Sequence, residues 1–223
     1  MSFVSRSWAV LRKEVRVEWR QRVAVSALGM FALATVMTVY FALVGRRPEP
    51  AVQAALLWVS MLFAASVGLG RTFVGEVETG TDLLLRLVAT PGAVYTGKLL
   101  FTLALTLGLG AVTAGAFLVV LGAPVAHPGL LAATVALGGT GLAGTTTLLA
   151  ALVARARGGA GLLPLLLFPL LVPLLLSAVR LTRASLDGGA GWSGATDGLV
   201  TLASFAVVVV AAATLLFEYV WGE

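Results

Sequence analysis

Val23-Ala-Val-Ser-Ala-Leu-Gly-Met-Phe-Ala-Leu-Ala-Thr-Val-Met-Thr-Val-Tyr-Phe-Ala-Leu-Val44 contains no charged side chain. A helix rises about 1.5 Å per residue, so about 20 apolar residues cross the roughly 30 Å hydrocarbon core of a bilayer. This stretch meets that length. Polar residues bound it on both sides, with Arg20 and Arg22 before it and the turn Arg46-Arg47-Pro48-Glu49-Pro50 after it. The same alternation continues along the chain, giving further spans at Ala51–Gly70, Leu99–Leu121, Gly129–Val153, Leu162–Val179 and Leu199–Phe217. The expected fold is all-α, a polytopic membrane protein with six transmembrane helices.

Composition supports lipid as the solvent. The 223 residues are 59% hydrophobic and 11% charged, with mean hydropathy +1.02, whereas a soluble domain carries about a quarter charged residues. Cysteine is absent, which excludes disulfides, thiolate metal sites and cysteine nucleophiles. A single histidine, His127, makes a catalytic triad, a zinc site or bis-histidine haem ligation within one chain improbable. The chain is therefore expected to be no enzyme and to hold no cofactor of its own. The net charge of +5 reflects cations beside the spans, where they set topology, and implies no nucleic-acid partner. Residues 1–22 are charged throughout and show no cleavable signal.

Eleven Lys and Arg lie on one side of the expected spans: Arg6, Arg12, Lys13, Arg16, Arg20, Arg22, Arg71, Arg86, Lys98, Arg155 and Arg157. Four lie on the other, Arg46, Arg47, Arg180 and Arg183. The richer side is cytoplasmic by the positive-inside rule, which puts both termini in the cytoplasm. Residues 1–22 then form a cytoplasmic amphipathic helix. Residues 23–220 form the membrane domain, with cytoplasmic loops at 71–98 and 154–161. The stretch Arg180–Asp197, containing Trp192, reads as an outside loop.

In the amino-terminal segment Val4, Trp8, Leu11, Val15 and Trp19 recur at helical spacing on one face, with Arg6, Lys13, Arg16 and Arg20 opposite. That pattern predicts a helix in the membrane interface, tryptophans among the headgroups and cations toward anionic lipid. The segment from Arg71 to Lys98 is longer than a simple connection requires. It predicts a short helix over Asp82–Ala89, capped by Thr81 or Asp82, with Arg86 one turn later and Pro91 as its stop. Leu83, Leu84, Leu85 and Leu87 must be buried against something. Either a cytoplasmic partner receives them, or they pack in a re-entrant or interfacial turn on the protein's own spans.

Pro164, Pro169 and Pro173 lie within the fifth span. Each removes a donor and crowds the preceding turn, predicting a bent or locally broken helix beside a neighbour or cavity. Gly138, Gly139, Gly141 and Gly144 with Thr140, Thr145, Thr146 and Thr147 mark the fourth span as a close-packing helix. His127 reads as a solvated turn residue. The spans themselves carry no ionisable side chain, so energy for any transport comes from elsewhere.

Taken in order, these pieces resemble the membrane subunit of a type 2 ABC exporter, and more closely the CcmB family of bacterial cytochrome c maturation. Arg71, Phe73, Glu76, Gly80-Thr81, Pro91 and Gly97-Lys98 sit like that family's Arg-x-Phe, acid, Gly-Ser/Thr, Pro and Ala/Gly-Lys positions. Arg157-Gly158-Gly159 and the later Pro169 and Pro173 match its fourth loop and fifth span. The resemblance implies type 2 exporter permease architecture in the bacterial inner membrane. It implies a CcmA-type ATPase docking on the second and fourth loops, through Glu76, Glu78, Asp82, Leu83, Leu84, Arg86, Arg155 and Arg157. It further implies CcmC- and CcmD-type partners, a second copy of the chain, and action on haem and its chaperone CcmE. ATP hydrolysis and haem ligation would belong to the partners. Three functions remain open at this point: a permease lining a substrate path, a non-transporting coupling scaffold, and a generic exporter subunit for a lipid, drug or polysaccharide.

Overall fold

The computed structural model describes residues 3–43, 48–68, 90–122, 124–155, 162–188 and 191–222. Among them are seven helices: α1 (Phe3–Gln21), α2 (Val23–Leu43), α3 (Pro50–Gly68), α4 (Pro91–Leu121), α5 (Pro128–Arg155), α6 (Leu162–Asp187) and α7 (Gly191–Gly222). Pro50, Pro91 and Pro128 each open a helix, where the missing N–H costs nothing and φ is already set. Gly122 closes α4 in the left-handed region at φ 59°, which a side chain would resist. Five helices, α2, α4, α5, α6 and α7, are long and apolar enough to cross a membrane, and the apolar stretch Pro50–Ser66 of α3 is shorter. The protein is a multi-pass membrane protein.

α5 is the axis of the bundle. In its apolar window 78% of residues are buried, against 33% or less in the other four long helices. Lipid is as apolar as leucine, so contact between helices depends on shape and polar bonds rather than on expulsion of water. The glycines expected to allow close packing do so. A Cβ on Gly138 would run into the Trp58 ring of α3, and one on Gly141 into Leu174 of α6. On Gly144 it would lie 3.2 Å from Val209 of α7, and on Gly139 3.1 Å from Leu107 of α4. Thr145, Thr146 and Thr147 turn their hydroxyls back onto the carbonyls of Gly141, Leu142 and Ala143, leaving their methyl faces for packing. Across the core, Trp58 Nε1–H donates to Thr182 Oγ1 at 2.9 Å.

The bundle has two distinguishable ends. At one, Tyr95 near the start of α4 meets Phe217 near the end of α7, ring centroids 5.2 Å apart, and α1 lies alongside. At the other, the start of α5 meets the end of α6 and the start of α7 around His127, Ser185 and Gly191. A sharp corner joins α1 to α2. Arg22 takes φ 53°, and the Glu18 carboxylate accepts from the Val25 N–H at 2.8 Å. It thereby satisfies a first-turn donor of α2 and places negative charge at that helix's positive end. Glu18→Ala should lower stability by about 1 kcal/mol, read from thermal unfolding in detergent, whereas Glu18→Asp should keep part of the effect.

Several expected boundaries move. Arg180 and Arg183 are not in a loop, because α6 continues to Asp187 and α7 already begins at Gly191. Charge ends the lipid-compatible stretch, but not the helix. Arg183 and Asp187 pair one turn apart at 3.1 Å on its exposed face, a geometry only a continuing helix provides. Pro91 starts α4, while the short helix it was expected to stop lies outside the described residues. Lys98 therefore lies two turns inside a helix rather than in a loop, and it is an ionisable residue within the apolar helix Pro91–Val120. The prolines of α6 do not break it. Pro164 falls in the first turn, where no intrahelical bond is lost. Pro169 and Pro173 are interior, yet the helix runs through them unbroken. Both face outward, while Leu163, Leu167, Leu171 and Leu174 form the buried face. The prolines thus leave the packed seam intact.

Candidate functional site

α1 packs chiefly on α4, and the contacts advance in step along both. Phe3 lies over Gly92, Ser7 and Val10 over Gly97, and Glu14 over Lys98. Gly97 makes this approach feasible, since a Cβ there would sit 2.7 Å from Val10 Cβ and 2.8 Å from the Ser7 carbonyl oxygen. The lysine that follows is wholly buried, and its Nζ donates to Glu14 Oε1 at 2.9 Å. Lys13 Nζ reaches the same oxygen at 3.3 Å. Burial raises the Glu14 carboxyl, but the charges of Lys98 and Lys13 and their hydrogen bonds outweigh it and hold the group below the usual carboxylate range. Glu14 is thus an anion at neutral pH. Its contribution is present above the ordinary carboxylate range and is lost only as pH falls through that lowered value.

The remainder of α1 faces away from the bundle. Val4, Trp8, Val15 and Trp19 of the apolar stripe are exposed, with only Leu11 half-buried. Arg12, Arg16 and Arg20 are exposed too. The helix therefore has three faces: a narrow one of Ser7, Val10 and Glu14 against α4, an apolar one and a basic one.

At the opposite end His127 is a junction residue, not a solvated turn residue. Its N–H donates to the Ser185 carbonyl at 3.0 Å, and its own carbonyl accepts from Leu130 and Leu131 at the start of α5. The imidazole is half-buried, and its Nε2 is covered and without a partner among the described residues. A Cβ on Gly191 would lie 3.1 Å from that nitrogen. Toward this same end, α3, α4, α5 and α6 border a void of about 10 Å³ lined by Gln53, Leu131 and Thr182, room for about one water.

The family model described as CcmB protein matches residues 5–218. The chain belongs to the CcmB family. It is a membrane component of the haem-exporting ABC system of cytochrome c maturation, a system in which an ATPase is a partner. No relative was found among curated proteins.

Of the positions that carried the resemblance to CcmB, Pro91 and Lys98 open α4, and Pro169 and Pro173 lie on the outer face of α6. Glu76, Glu78, Asp82, Leu83, Leu84 and Arg86, with the expected helix Asp82–Ala89, lie outside the described residues, as does Arg157. Arg155 closes α5. Both segments that carry these residues join helix ends at the α1 end of the bundle. The residue that sequence reading missed is Glu14. Its signal was present: a carboxylate at helical spacing from Ser7 and Val10 in a segment otherwise rich in cations. A pair buried to this extent has a cost in desolvation, and removing one partner typically costs about 3–5 kcal/mol. The second cation, Lys13, reduces that loss for Lys98→Ala.

Proposed function

We propose that this chain is the non-catalytic membrane subunit that turns the ATP-driven motion of a CcmA-type ATPase into haem delivery or release of the haem-loaded chaperone. It works in the bacterial inner membrane with CcmC- and CcmD-type subunits and a second copy of itself. In this reading all six helices from α2 to α7 span the bilayer. The 19 residues of α3 support that, since about 28 Å of helix nearly matches the hydrocarbon core. α1 lies in the cytoplasmic interface, with its exposed tryptophans among headgroups and its exposed arginines toward anionic lipid.

The observation that supports the reading is the packing of the axis helix, which among the described residues meets α3, α4, α6 and α7 through its glycines. A helix seated in this way suits a subunit that transmits motion, and in this reading the chain's own task is coupling, with any haem path running between copies. The ATPase contact is assigned to the two segments at the α1 end, with Glu76, Glu78, Asp82, Leu83, Leu84, Arg86, Arg155 and Arg157 as its residues. Leu84→Asp places a charge in that contact and should abolish co-purification of the ATPase while the membrane domain elutes unchanged. Full co-purification would assign those leucines to the protein's own spans instead.

Orientation has its own test. With no native cysteine, Ala126→Cys and Gly189→Cys should react with an impermeant thiol reagent from the periplasmic side, and Gly159→Cys only from the cytoplasmic side. The reverse pattern would invert the topology.

A further inference from the structure

Membrane insertion and topology do not explain how α1 is joined to α4. A cation needed only for orientation works best exposed at the interface, yet Lys98 is wholly buried. A buried ion pair is a poor source of stability compared with an apolar contact of the same size, and its best-attested use is to fix register. That is what it does here. Lys98 bonded to Glu14 at 2.9 Å decides which turn of α1 sits on which turn of α4. Gly97 enforces the same register by shape, because only this alignment brings Val10 and the Ser7 carbonyl into its open face. A shift of α1 by one turn would part Lys98 from Glu14 and empty the glycine seat. The joint is therefore either matched or broken and does not slide. Two residues from Gly97, Tyr95 is fully buried against Phe217, which ties this part of α4 to the end of α7 as well.

We propose that α1 and the first turns of α4 form one rigid strut, locked by Glu14, Gly97 and Lys98, and that displacement entering at the segment before α4 reaches the bundle through it. The proposal rests on the ATPase-coupling reading of that segment and adds three positioning residues to it. α1 then acts as a lever that moves with α4 and keeps its apolar and basic faces at the membrane surface.

The test uses the complete complex in membranes and reads two quantities, ATPase co-purification and ATP-dependent release of the haem-loaded chaperone. Phe3→Cys with Gly92→Cys places two thiols across the joint, since the Phe3 ring lies 3.4 Å from a Cβ built on Gly92. Bridging them with a short bifunctional thiol reagent should leave release within about twofold of the unbridged complex, because partners that move together lose nothing when tied. Arrest on bridging would overturn the strut. Glu14→Gln and Lys98→Met should each reduce release by about tenfold with the ATPase still bound, the scale of residues that couple sites without touching either ligand. The exchange of Glu14→Lys with Lys98→Glu should recover much of it. Unchanged release in both single variants would equally overturn the proposal. Leu84→Asp reports on docking and the bridge reports on the strut, so the two ideas fail separately.

Discussion

Gly138→Leu should leave the chain unable to accumulate as a folded, monodisperse protein. The added carbons would enter the space that the Trp58 ring already occupies. Trp58 is 1% exposed and bonded to Thr182, so its retreat would break a buried hydrogen bond worth about 1–3 kcal/mol to leave unmade. Overpacking adds about 1–3 kcal/mol, which exceeds the roughly 1 kcal/mol that replacing a helical glycine gains in propensity. Gly138→Ala should therefore still destabilise, by less. Gly29→Leu, Gly108→Leu and Gly115→Leu are the contrast, because nothing lies within 4 Å of a Cβ at those positions. They should be neutral or slightly stabilising. The measurement is elution profile and thermal unfolding in detergent for all five variants. Equal loss across the set would mean that glycine serves helix flexibility here rather than close packing at Trp58.

The contrast among these glycines also shows what was legible in the sequence and what was not. The five long apolar helices and the glycine-threonine face of α5 could be read directly, because lipid imposes length and small residues mark contact. Helix ends could not, since hydropathy reports the solvent around a helix and not the backbone. α4 and α6 both run past the charges at Lys98, Arg180 and Arg183 that seemed to end them. The prolines of α6 were read for their effect on the backbone without regard to face. Pro169 and Pro173, four apart, fall together on the exposed side, and the leucine seam opposite stays regular. Glu14 was missed for a related reason. An amphipathic helix was divided into an apolar and a basic face, and a third, narrow face needs a partner helix before it has meaning. Lys98 was recognised as a family position, but only the fold brings it to a carboxylate 84 residues away.

Purified alone, the chain should hydrolyse no ATP and bind no haem stoichiometrically, and it should gain activity only in complex with an ATPase. Its one imidazole is poorly placed to hold iron. An axial ligand needs an accessible nitrogen with an open face beyond it, whereas His127 Nε2 is covered and abuts Gly191. The residue already has a structural task, since its backbone joins the start of α5 to Ser185 at the end of α6. Haem titration should therefore give no Soret shift beyond that of empty detergent micelles, in the native chain and in His127→Ala alike. The variant should differ in stability only, and modestly, because the bonds at this junction are made by the backbone. A specific haem spectrum that disappears in His127→Ala would require the α5–α6–α7 junction to open and expose the ring. That result would replace the coupling role with direct haem handling at the end of the bundle farthest from the strut.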